Sequence, residues 1–336
     1  MVINMKATLP LEQRQRLAEP ALAGLMTMAR LKGDPSAKAL AAVAGVRDHL
    51  MHVDLDLSSL PSLSPQELAQ RIRAVNPDPQ WRERVLRGMT LVALFDGAAT
   101  GAELALLEQT AQAFEVAHSP VESYRKVMGN RQTMVRLDLM RRSFLKDAIS
   151  ATIQQEGAGG VLGIAMVLAG QEDKAMAARY QSLLSYPEGS FGRAYANFIS
   201  RNQFNFPGEL GGPPPPVMHH DCCHVLGGYG TTAAEEGAVI GFQAGFEKLD
   251  PFDVLMFVIA EFEVGIGVSP FIPGEFNQLD PERIFAGMAH GSQVTIDLIA
   301  ELNPWDHFAS PLAEVRQLFN VVPRGREAEY PTLVDQ

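Results

Sequence analysis

The 336 residues are 46% hydrophobic and 20% charged, carry a net charge of −11 and include only two cysteines. A chain of this length buries an ample core without staples. Its surplus of acid excludes binding by phosphate neutralisation, so no nucleic-acid partner is expected, and it offers anionic lipid no attraction. Cys222 and Cys223 are sequence neighbours and build no disulfide framework, which points to a reducing, cytoplasmic setting. No secretory signal is legible near Met1.

Residues 1–20 read as a polar lead-in. A helical pattern runs from Ala21 to about Val53, broken at Gly33-Asp34-Pro35, and a Ser/Pro/Leu linker fills 55–65. Ser64, Pro65 and Glu67 mark a helix start, and the helix PQELAQRIRAV stops at Asn76–Pro79. In WRERVLRGMTLVALFDG (81–97), Val85, Met89, Val92, Leu94 and Phe95 recur near a helical period, and GAELALLEQTAQAFEV (101–116) follows as another helix. The stretch FDGAATGAELALLEQTAQAFEV resembles the A-D-G-x-x-x-x-x-E…L segment of the tellurite-resistance TerB-like helical domain, with Phe95 where that family has Ala. The resemblance implies a helical domain over 21–118. Asp96 and Glu103 are then candidates for a weak cation site; the commoner reading is an acid before a turn glycine and an acid in a helix's first turn.

Connecting helices are expected over 119–174. Arg125, Lys126, Arg131, Arg136, Arg141, Arg142 and Lys146 cluster in 121–150 of an otherwise acidic protein. Such a basic amphipathic segment suits a membrane surface or a partner, but the commoner reading is a solvated helix packed between domains. The longest apolar run, GAGGVLGIAMVLAG (157–170), is too short and too glycine-rich to cross a bilayer, so any membrane contact is expected to be peripheral, at the inner face.

The densest chemistry lies at 219–236, HHDCCHVLGGYGTTAAEE, which holds three of the eight histidines and both cysteines. Read as a helix, it places His220 and His224 four apart on one face, with Asp221 bordering that face three before His224. Gly227, Gly228 and Gly230 end the helix, and Thr232 with Glu235 reads as a capping box that starts a second one. Glu236, in the first turn of that second helix, folds back as a fourth ligand. His220, Asp221, His224 and Glu236 together offer a divalent cation a mixed nitrogen and oxygen site, with Zn²⁺ the best fit and Mn, Fe or Co open. The layout resembles the zincin H-E-x-x-H pattern with Asp for the first Glu. Cys222 and Cys223 point off the ligand face and are expected in helix packing. His219 is expected at the rim or behind the ligands, and His290 as structural. Tyr229 is either a donor to a substrate oxygen or a hydrophobic lid.

His220-Asp221-x-x-His224, eleven residues and then Glu236 resembles the signature of the coenzyme Q (ubiquinone) biosynthesis protein 4 family. YPEGSFGRAYANFISRN (186–202) is similar to that family's P-E-G-x-x-G-R-x-Y-x-x-F segment, and WDHFASPLAEVRQLFNVVP (305–323) to its C-terminal W-x…P-L-x-E-x-R…P segment. In this chain NFPGELGGPPPPVM (205–218) stands where the family has a charged, Tyr-containing helix. The resemblance covers 175–325. It implies a prenylated aromatic or isoprenoid lipid as partner and a divalent metal. The implied activity is oxidative decarboxylation at C1 of a ubiquinone precursor, with Asp221 and Glu236 as catalytic groups.

Downstream, segments opened by Asp250-Pro251, Asp280-Pro281 and Ser310-Pro311 read as helices, and no strand alternation, G-x-G-x-x-G or P-loop is present. The expected architecture is all-α: two helical domains, a connecting helix between them and a tail at 326–336. A homodimer is compatible with it. Two other functions fit the same residues. One is a non-catalytic isoprenoid-lipid binder or scaffold whose metal fixes the hairpin; the other is a metal-dependent hydrolase with Asp221 or Glu235 as base.

Overall fold

A computed structural model of the chain describes residues 11–117, 119–129, 153–154, 171–267 and 274–324. Arg131, Arg136, Arg141, Arg142 and Lys146 of the basic segment, the apolar run at 157–170 and the tail at 326–336 lie outside them. Among the described residues the protein is all-α, with isolated bridges Ser190–Pro311 and Val264–Phe276 as the only extended pairing. No helix among the described residues is long and apolar enough to cross a membrane.

The chain divides into two compact units. One is drawn from Ile3–Leu139 and Leu255–Ala289, the other from Met140–Val254 and His290–Gln336. Residues 255–289, expected with the metal hairpin, therefore group with the N-terminal helices.

The first unit begins with α1 (Leu11–Ala29), ten residues before the expected start at Ala21. Pro20 suggests a break, but Leu17 and Ala18 are fully buried, and tertiary packing carries the helix through the proline. The segment α2 (Ala37–Gly45) is capped by Ser36 and runs into a π turn, Val46–Met51. Ser64 and Glu67 close a reciprocal capping box on α3 (Pro65–Val75). Asp78 caps α4 (Pro79–Phe95), and a second reciprocal box, Thr100 with Glu103, opens α5 (Gly101–Phe114). The basic end of α6 (Ser119–Met128) carries Arg125 and Lys126. In this bundle α1 packs on α3 and α4, α3 on α5, and α4 on α5 and α6. Residues 255–289 join it through Lys38, whose Nζ reaches both oxygens of Glu263 at 2.8 and 2.7 Å, and through Phe285, packed on Gly45 so closely that an added Cβ would stand 2.7 Å from its ring.

The second unit opens with α7 (Lys174–Gln181) and α8 (Phe191–Arg201). The metal hairpin follows as α9 (Val217–Gly227) and α10 (Ala233–Phe246). Unit boundaries fall inside α11 (Pro251–Phe262) and α12 (Pro281–Gly291), and two short helices, α13 (Pro304–His307) and α14 (Leu312–Leu318), come last. Helix α8 packs on α9, α13 and α14, and α9 packs on α10. Tyr180, Tyr195, Phe191, Phe308 and Trp305 form an aromatic cluster under α8 with centroids 5.0–6.4 Å apart.

Candidate metal centre

Helix α9 ends as its glycines require. Gly228 takes the left-handed conformation at φ 74°, and its N–H donates to His224 O. The remaining carbonyls of the last turn are met from farther along the chain. Arg316 Nη2 and Nε donate to Val225 O and Leu226 O, both at 2.9 Å, and the Arg324 N–H donates to Gly227 O at 3.1 Å. These satisfy orphan acceptors and set positive charge at the helix's negative end.

The turn places Thr232 at the N-cap of α10, where its hydroxyl accepts from Glu235 N at 3.4 Å. The other half of the expected capping box is not made. Glu235 Oε2 instead accepts from Gly230 N (3.1 Å) and from Arg324 Nη1 (2.7 Å), so its carboxylate locks the turn. Tyr229 is buried, with its hydroxyl 2.7 Å from His290 Nδ1, so that hydroxyl is engaged inside the protein.

Three of the four expected ligands meet. His220 Nε2 and His224 Nε2 are 3.0 Å apart, and Glu236 Oε2 lies 3.2 Å from the first and 3.5 Å from the second. Ligand atoms about 2.0–2.1 Å from one tetrahedral ion stand roughly 3.3 Å from each other, so this triangle fits such an ion. His224 is buried, while His220 and Glu236 keep a little exposure, at 14% and 18% of their side chains. Burial alone would raise the Glu236 pKa. The His224 and His220 imidazoles beside it outweigh burial and hold the carboxyl well below its usual range. Phe198 of α8 stacks on His224 at 5.2 Å and 25°.

Asp221 stands apart from the triangle. It is buried, and desolvation pushes its carboxyl up to about 7, an effect that nearby His220 opposes and Glu236 reinforces. Its field falls also on Tyr195 and Cys222, whose own ionisation burial disfavours first. It is close enough to feel the centre but is not among the converging ligand atoms. His219 is fully buried rather than at a rim, and burial lowers it to about 4. Cys222 and Cys223 are both buried and free, as packing groups are.

Sequence reading passes over Gln243. It lies on α10 seven residues after Glu236, two turns along the same face, and that spacing was the available signal. Its amide nitrogen sits 3.0 Å from His220 Nδ1.

At the turn into α5, the cation between Asp96 and Glu103 is a side chain. Lys32 Nζ lies 2.9 Å from Asp96 Oδ2, 3.1 Å from Glu103 Oε1 and 2.8 Å from Asp96 O. Glu103, fully buried, also accepts from Tyr124 Oη at 2.6 Å.

Set against known proteins, the chain matches no family model, no curated protein and no solved structure.

Proposed function

We propose that the protein is a divalent-metal-dependent enzyme acting on a prenylated aromatic quinone precursor, replacing the C1 carboxylate of the ring by hydroxyl, with carbon dioxide leaving and dioxygen taking up the two electrons. The observation that carries the reading is the convergence of His220, His224 and Glu236 from two helices to mutual distances of 3.0–3.5 Å. Two imidazoles and one carboxylate suit Zn²⁺ best and admit Mn, Fe or Co. A bound cation would supply Lewis-acid stabilisation of negative charge on the carboxylate and phenolic oxygens. The chain's own groups supply the rest. Glu236 stays ionised and holds negative charge at the centre. Asp221, at about 7, exchanges a proton near neutrality and suits general acid–base work. The substrate class comes from the similarity of 175–325 to the coenzyme Q biosynthesis protein 4 family, with peripheral contact at a membrane's inner face as its setting.

The test is elemental analysis of the purified chain beside His220→Ala, His224→Ala and Glu236→Ala, followed by turnover of prenyl-hydroxybenzoates. The expected result is near-stoichiometric metal in the parent, loss of metal in each variant, and CO₂ release that requires dioxygen. Metal without turnover would favour the lipid-binding scaffold. Turnover of an ester or amide without oxygen would favour the hydrolase.

A further inference from the structure

An imidazole that binds a metal through one nitrogen carries its proton on the other, and when buried that N–H needs an acceptor. The two histidines of the centre meet this need differently. His224 is held by stacking on Phe198, and its buried Nδ1 has no hydrogen-bond partner among the described residues. His220 Nδ1 faces Gln243, a fully buried amide on the same face of α10 as Glu236. With the amide nitrogen facing it, Nδ1 is a lone pair and the ring proton falls on Nε2, 3.2 Å from Glu236 Oε2. That tautomer blocks the nitrogen a cation needs. Gln243 Oε1 has no hydrogen-bond partner among the described residues, and Cys223 lies against the same amide. A half-turn about the terminal bond exchanges the amide's nitrogen for its oxygen in the same space. The turn gives Nδ1–H an acceptor, frees the Nε2 lone pair and employs the idle oxygen.

We propose that Gln243 is a positioning residue for the centre: its amide oxygen accepts from His220 Nδ1–H and so leaves the Nε2 lone pair to a metal. The proposal rests on reading His220, His224 and Glu236 as a metal centre. Removing such an outer partner weakens metal affinity about 10–100-fold.

Chelator-stripped full-length protein titrated with Zn²⁺ by calorimetry tests it. Gln243→Met keeps the bulk without the hydrogen bond and is expected to bind about 10–100-fold more weakly. Gln243→Glu keeps an acceptor and is expected to bind at least as tightly as the parent. A packing role alone would not be lost in the first variant and recovered in the second. Long-range ¹⁵N–¹H spectra of the parent with labelled histidine need no variant that must fold. In the Zn²⁺-loaded parent the His220 ring is expected to carry its proton on Nδ1. Equal affinity of Gln243→Met and parent, or a Zn²⁺-loaded ring protonated on Nε2, overturns the role of Gln243 alone. A parent that takes up no Zn²⁺ overturns the metal reading and this inference with it.

Discussion

At the residue scale, charges are settled by what faces them. Lys32 is partly buried, which disfavours its charge, yet Asp96 and Glu103 hold its ammonium above the ordinary lysine range. Lys32→Met leaves the fully buried Glu103 without a cation and is expected to cost roughly 2 kcal/mol in urea unfolding, with Glu103→Gln in the same background recovering part of it. The two acids were legible from the sequence as a possible cation site. Their cation was not, because it comes from the turn after α1, more than sixty positions away. His290 gives a pH-dependent term. Burial lowers its folded pKa to about 4, below the roughly 6.5 of an unfolded histidine. The unfolded chain therefore takes up the proton first, so this contribution is complete above about pH 6.5 and is lost as pH falls towards 4. Its full size is at most roughly 3 kcal/mol. The loss of stability between pH 6.5 and 4 is expected to be smaller in His290→Gln than in the parent, read from urea midpoints at each pH.

At the scale of elements, helix starts were the most legible feature. Ser64 with Pro65 and Glu67 carries a local instruction, and α3 begins there. The hairpin was readable for the same reason, since spacing of four in one helix and a glycine turn bring His220, His224 and Glu236 together. Asp221 was placed on the ligand stripe by that spacing, but its side chain is buried outside the triangle, which helical angle alone does not decide. Thr232 and Glu235 also had the right spacing, yet Glu235 turns away because Arg324 and the Gly230 N–H offer a charge-assisted alternative. No local pattern reports a competitor ninety residues on. The same distance hides the cap on α9. Arg316→Met is expected to strand the Val225 and Leu226 carbonyls and cost roughly 2 kcal/mol, seen as a lower Tm with and without Zn²⁺. Gly291→Ala is expected to be more severe, because its Cβ would stand 1.9 Å from Phe242 O, where backbone must move. Circular dichroism and expression yield would show it as loss of fold.

At the scale of the molecule, composition and helical periodicity sufficed for the all-α class, while the assignment of 255–289 to the N-terminal unit was not visible in the order of segments. It depends on pairings such as Lys38 with Glu263 and Gly45 with Phe285, which join positions more than two hundred apart. A fragment ending at residue 139 lacks both partners. It is expected to unfold with low cooperativity and to bind a hydrophobic dye, whereas the full chain does not; cooperative unfolding of the fragment would show that the N-terminal helices suffice alone. The guanidinium of Arg316 lies 90 and 91 positions beyond the carbonyls it caps. During synthesis the hairpin therefore leaves the ribosome well before its clasp exists. Until Arg316 emerges, the Val225 and Leu226 carbonyls at the end of the hairpin's first helix have only water to accept from.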